Sequence, residues 1–195
     1  GEIDDFINDA IDEFIDLQKQ QIRKHRYDGR SLEAQENLRT IINREETTNV
    51  SSPPTAMKYG WEVDLSDFPD YDYFISGNVE DSDGNLFPMK YKPSSFFTDV
   101  KRISYTNIFD KGVPIAVESS NIVGIFPQDL NKSPDSVSVT YLQYPPEANL
   151  DPNNASNNVE VQLPDHTHRE IVNIASKKVM QSLSGQSPSN QQNQE

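Results

Sequence analysis

The sequence predicts an α+β fold: a helical core drawn from both ends of the chain, with an inserted, mostly antiparallel β region shaped as a sandwich or small barrel. Three observations predict it. Residues 2–26 place Ile3, Phe6, Ile7, Ala10, Ile11, Phe14 and Ile15 at helical spacing. Between about residues 59 and 145 the period shifts towards two, punctuated by turn residues. Helical spacing then returns at Ile171, Ile174, Ala175, Val179 and Leu183. The resulting division is 1–50 for the amino-terminal helices, 51–58 for a linker, and 59–145 for the β insertion. Residues 146–164 form a loop and lead-in, 165–184 the last helix of the core, and 185–195 a polar tail.

In the first helix, Asp4, Asp5, Asp9, Asp12, Glu13 and Asp16 fill the face away from the apolar stripe, and Lys19, Arg23, Lys24 and Arg26 come late. Acid first and base last suits the helix dipole. The wide Ile- and Phe-rich stripe fits a core helix, and part of it also fits packing on a neighbouring subunit. Asp28-Gly29 breaks the helix. Ser31 can cap a second one, with Leu32, Leu38, Ile41 and Ile42 as its apolar positions. Thr47-Thr48-Asn49 and Ser51-Ser52-Pro53-Pro54 end it as a linker.

The β insertion opens with Trp61-Glu62-Val63-Asp64-Leu65, which alternates. Residues 73–79 and 86–91 flank Asp81-Ser82-Asp83-Gly84-Asn85 and predict a hairpin. Asp81-x-Asp83-Gly84 has the opening of a calcium loop but lacks the downstream Glu such a loop requires. Residues 94–103 predict a short helix and 109–114 a turn. Residues 114–118 and 121–126 predict two strands, and 137–142 a closing strand whose Ser136-Val137-Ser138-Val139 start alternates. Near Asp165, Thr167 and Glu170 have capping-box spacing, with Asp165 as the rival cap. The Gln-, Asn- and Ser-rich tail predicts disorder.

Composition narrows the function classes. The chain has 195 residues, a formal net charge of -14 and no cysteine. A DNA-gripping surface would need clustered Lys and Arg; this charge instead suits an acidic wall that DNA slides past. Disulfides, thiolate zinc sites and cysteine nucleophiles are excluded. No apolar run reaches the roughly 20 residues of a membrane span, and the acidic amino end does not read as a secretory signal. The chain opens at Gly1 rather than Met, which fits either trimming or a residue left by cloning there.

His166 and His168, with Asp165 and Glu170, form the one cluster that resembles metal ligands. The capping box accounts for Thr167 and Glu170 without a metal. Neither Gly112 nor Gly124 belongs to a phosphate-cradling loop, and no nucleophile motif surrounds any Ser. No catalytic, metal-binding or cofactor-binding residue is assigned, and no cofactor is expected. The candidate functional residues are those of a subunit or partner interface: Phe6, Ile7, Phe14, Ile15, Ile171 and Ile174.

The order of elements carries a resemblance. An acidic amphipathic helix precedes Gln35-x-x-Leu38-x-x-Ile41-Ile42. Asp72-Tyr73 enters the first long strand. Val123-Gly124-Ile125-Phe126-Pro127 leads to Val137-x-Val139-Thr140-Tyr141-Leu142-x-x-Pro145, and the chain closes on Leu163-Pro164-x-x-x-His168-x-Glu170-Ile171-Val172-x-x-Ala175. Across about residues 3–183 the chain resembles the head-to-tail connector proteins, adaptors or neck rings, of tailed bacteriophages of the crAss-like and Bacteroidetes type. The resemblance implies a virion protein, not an enzyme, assembled in the host cytoplasm as a homo-oligomeric, often dodecameric ring. It further implies contact with the portal and other neck or tail proteins, no membrane, and passage of DNA through the lumen without specific binding. A β-rich binding or decoration module without ring assembly is the alternative, and a hydrolase using His166 or His168 is a third reading.

Overall fold

The computed structural model describes residues 2–26, 29–51, 61–92, 115–119, 122–126, 134–149 and 154–184. The fold is α+β, and the described residues form no closed barrel. It divides into two compact units: residues 1–41 with 145–195, and residues 42–144. Both chain ends therefore share a helical unit, and the β unit is inserted between them in the chain.

Three helices build the helical unit among the described residues: α1 (Glu2–Lys24), α2 (Gly29–Asn37) and α3 (Asp165–Leu183). Both α2 and α3 pack on α1. The stripe on α1 supplies Ala10, Ile11, Phe14, Ile15 and Ile22 to the core. Ala34, Leu38 and Ile41 join from the α2 side, and Leu163, Ile171 and Ala175 from the α3 side. Burying an aliphatic or aromatic side chain of this size stabilises by about 1.5–3 kcal/mol. A single side chain pins α1 to the segment that returns from the β unit. Asn8 Nδ2 donates to the Ala148 carbonyl at 3.0 Å, and Asn8 Oδ1 accepts from the Ala148 amide at 2.8 Å.

Several local expectations differ from this structure. Helix α2 starts at Gly29, so Ser31 is not its cap. Ser31 lies buried inside the helix and accepts from Gln35 Nε2 at 2.9 Å. Leu32, expected to be apolar core, is 68% exposed, and Ala34 takes its place. After a 3-10 turn at Arg39–Ile41, residues expected to be helix and linker form strand β1 (Ile42–Thr47), so the helical part ends before residue 50. At α3 the expected capping box is absent. The cap position is Pro164, without a side-chain acceptor, and the Thr167 hydroxyl instead donates to the Pro164 carbonyl at 2.7 Å.

Among the described residues, the β unit holds two four-stranded sheets. The strands are β1, β2 (Trp61–Asp64), β3 (Tyr71–Glu80), β4 (Leu86–Pro88), β5 (Lys90–Lys92), β6 (Ile115–Ser119), β7 (Ile122–Phe126) and β8 (Ser136–Gln143). One sheet runs β1-β8-β3-β4, all antiparallel. The other runs β2-β7-β6-β5 and contains one parallel pair, β5 with β6. The predicted hairpin is present, but its second arm divides: β4 pairs with β3, and β5 joins the other sheet. Asp81 Oδ1 stabilises the turn by accepting from the Asp83 and Asn85 amides. Glycine is required at position 77, because a Cβ there would lie 2.8 Å from the Ser138 carbonyl oxygen and nearer still to Met89 Cε.

Both sheets contribute to one core, including Val63, Phe74, Val123, Ile125, Val139 and Tyr141. Tyr141 is fully buried between the rings of Phe68 and Tyr71, at 5.5 and 5.6 Å. Its hydroxyl donates to the Pro69 carbonyl and accepts from Asn43 Nδ2. Strand β8 is buried on both faces although its sequence alternates. Ser136 donates to Glu80, and Ser138 accepts from Asn78 and, across the sheet, from Arg44. The predicted helix at 94–103, the turn at 109–114 and the polar tail lie outside the described residues.

Candidate functional site

The six candidate interface residues separate by burial. Phe14, Ile15 and Ile171 are at most 3% exposed within the chain itself. Phe6, Ile7 and Ile174 are half-buried. The second trio lies at the edges of the α1 and α3 packing faces, where part of each side chain stays exposed. Glu13 and Lys178 bridge the two helices at 2.8 Å. Both are partly exposed, so the pair orients the helices more than it stabilises them.

The buried stripe expected on α3 is shorter than its spacing suggests. Ile171 and Ala175 are buried and Val179 is half-buried, but Leu183 is 84% exposed. A second apolar row emerges instead, with Val172 61% and Met180 69% exposed beside Leu183. Val172, Met180 and Leu183 recur at i, i+8 and i+11, within roughly 80° of one another around the helix. That signal was present in the sequence. It was masked because Val179 and Leu183 also continue the register of Ile171.

On α1 the polar face is a run of carboxylates. Asp5, Asp9, Asp12 and Asp16 fall at i, i+4, i+7 and i+11 and are all exposed. Each of Asp12 and Asp16 is two residues from Phe14, roughly 160° away around the helix. Asp16 also carries an ion pair with Lys19 at 3.4 Å.

The histidine pair works in the helix entry. His166 Nε2 lies 3.0 Å from Asn37 Oδ1, and Asn37 Nδ2 donates to the buried Gln18 at 3.1 Å. His168 Nε2 donates to the Leu163 carbonyl at 2.8 Å. An amide oxygen and a carbonyl only accept, so each Nε2 carries a proton in these contacts. The chain Gln18–Asn37–His166 thereby connects α1, α2 and α3. No group of three or more His, Asp or Glu among the described residues is placed to hold a metal ion.

Two carboxylates of β2, Glu62 and its last residue Asp64, are perturbed in opposite directions. Burial raises Glu62 above the ordinary carboxylate range. Asp64 is lowered by the Ser66 hydroxyl at 2.7 Å and the Ser66 amide at 2.9 Å, which both donate to Asp64 Oδ1. Among the described residues, no helix is long and apolar enough to cross a membrane. No family model matches the chain, and no curated protein matches its sequence.

Proposed function

We propose that the chain is a structural virion protein of a tailed bacteriophage, forming a ring in the neck that joins the capsid portal to the tail and surrounds the DNA channel. The observation that carries this reading is the exposed row Val172, Met180 and Leu183 on a helix already packed on its other side. A helix apolar on two faces is suited to lie between two neighbours. The net charge of -14 supports a lumen that repels phosphate rather than binding it. The ring is homo-oligomeric, with a dodecamer as the expected stoichiometry, and its neighbours are the portal and further neck or tail proteins.

The test is a cryo-EM map of particles carrying this chain. The expected result is ring density between portal and tail into which both units fit. A chain found only on the capsid shell, or absent from particles, overturns the reading. The first of those outcomes would favour a decoration module.

A further inference from the structure

The stripe that packs α1 into the helical unit continues past the elements that cover it. Ile3 and Ile7 fall within roughly 20° of Phe14 around the helix. Exposure nevertheless rises from zero at Phe14 to 71% at Ile3, with Phe6 and Ile7 half-buried between them. The direction of α3 explains the gradient. Glu13 meets Lys178, whereas Gln18 reaches His166 through Asn37, so α3 runs opposite to α1. Ile3 lies roughly 15 Å of helix before Glu13, and Leu183 lies only about 7.5 Å after Lys178. The first turn of α1 therefore projects beyond the end of α3, and Leu183 is exposed at the same end of the unit. The residues that follow α3, 185–195, include no apolar side chain apart from Pro188.

This end of the unit carries one sign of charge. Asp4 stands three residues before Ile7, and exposed Asp9 three after Phe6, so a carboxylate borders the apolar trio on either side, roughly 60° from its edge. Exposed Glu147 precedes Ala148, whose backbone is bonded to Asn8. No Lys or Arg occurs in residues 1–18, 145–165 or 179–195. On α3 the nearest bases are Lys177 and Lys178, and Lys178 is held at Glu13. The half-positive amino end of α1 and the half-negative carboxyl end of α3 lie together and offset one another, so the carboxylates set the sign. We infer that the first two turns of α1 dock a segment of a different protein that carries apolar side chains flanked by Lys or Arg. Ile3, Phe6 and Ile7 take its apolar residues, and Asp4 and Asp9 take its charges. Charge selects this occupant over a second copy, because this end laid against itself sets the aspartates against their own counterparts. The inference goes beyond the ring reading and does not rest on it.

The experiment is methyl NMR of the full chain, labelled at its isoleucines and titrated with three synthetic peptides. One is an amphipathic helix of Leu and Lys, the second has Glu in place of every Lys, and the third has Ser in place of every Leu. The expected result is saturable movement of the Ile3 and Ile7 methyls with the Leu–Lys peptide, with the buried Ile22 and Ile171 methyls unmoved. The other two peptides are expected to leave Ile3 and Ile7 where they were. Ile3→Ser is expected to raise the Kd for the Leu–Lys peptide roughly fivefold or more. Asp4→Asn with Asp9→Asn raises it at low salt and has little effect at high salt. Circular dichroism checks that each variant folds. Equal binding of the Leu–Glu peptide, no binding of the Leu–Lys peptide, or an Ile3→Ser chain that binds as the original does overturns the inference. Movement of the Ile3 methyl with the chain's own concentration, before any peptide is added, also overturns it and identifies a second copy as the occupant. The ring reading is decided separately, by where the chain lies in particles.

Discussion

The two units complete their apolar surface differently. In the β unit, Tyr141 sits at zero exposure between two aromatic rings, with its hydroxyl hydrogen-bonded at both donor and acceptor. Polar residues on the second face of β8 find partners on β1 and β3, and Leu142 on that face is fully buried. The helical unit closes one side of α3 and leaves the other open. A sheet strand gains its neighbours through backbone bonds that register fixes. A helix satisfies its own backbone, so only side chains decide which of its faces is covered. That is why an unfinished face is found on α3 and not on β8.

The comparison is most severely tested at the two cores. Phe14→Ala empties a fully buried site in the helical unit and is expected to cost about 3–5 kcal/mol in a urea titration. If the units unfold as separate steps, only the helical transition moves. A shared transition would show instead that the two behave as one cooperative body. Gly77→Ala tests the β unit. The new methyl meets the Ser138 backbone oxygen, which cannot step aside as a side chain does, and the expected loss is about 1–3 kcal/mol. An unchanged midpoint would mean that β3 and β8 separate more easily than their pairing suggests.

The helical unit was legible where apolar spacing is long. Seven apolar residues from Ile3 to Ile15 identify α1, and Ile171 with Ala175 identifies the packed side of α3. The strands with aromatic or β-branched runs were legible for the same reason. Strand β1 was not, because Asn43-Arg44-Glu45-Glu46 carries no apolar alternation. Its pairing with β8 and the bonds from Asn43 to Tyr141 and from Arg44 to Ser138 decide its state. Such contacts join residues more than 90 positions apart and leave no local trace. The capping box failed for a related reason. Thr167 is 3% exposed, and its hydroxyl turns back to Pro164 rather than capping the helix.

Smaller effects separate the two units by mechanism. Asn8→Ala removes both bonds to the Ala148 backbone and is expected to cost about 1–3 kcal/mol. Amide exchange is expected to accelerate at Ala148 and not in the sheets. Uniform acceleration would show that the pin holds more than the helical unit. Asp70→Gly is expected to act with the opposite sign. Asp70 holds φ at 50°, a left-handed conformation that glycine adopts freely, while its carbonyl accepts from the Tyr144 amide. The expected gain is about 0.5–1 kcal/mol in thermal unfolding.

Glu62 and Asp64 give the finest test, because they sit two residues apart on one strand and their surroundings shift them from their ordinary values in opposite directions. Burial disfavours the Glu62 carboxylate, so the folded chain holds that proton more tightly than the unfolded chain. Ionised Glu62 opposes folding, and its effect is relieved as pH falls through a raised pKa, in the window above the ordinary 4.5. Asp64 behaves in reverse. Its bonds to Ser66 favour the carboxylate, so its contribution is present above the ordinary 3.8 and is lost as pH falls through a lowered pKa. Carbon-detected NMR titration of both side chains is expected to find them displaced in opposite directions. Ser66→Ala is expected to return Asp64 towards its ordinary value, by removing the hydroxyl donor, and to leave Glu62 where it was. If Glu62 moved as well, the two carboxylates would be coupled through charge, and burial would no longer explain the difference between them.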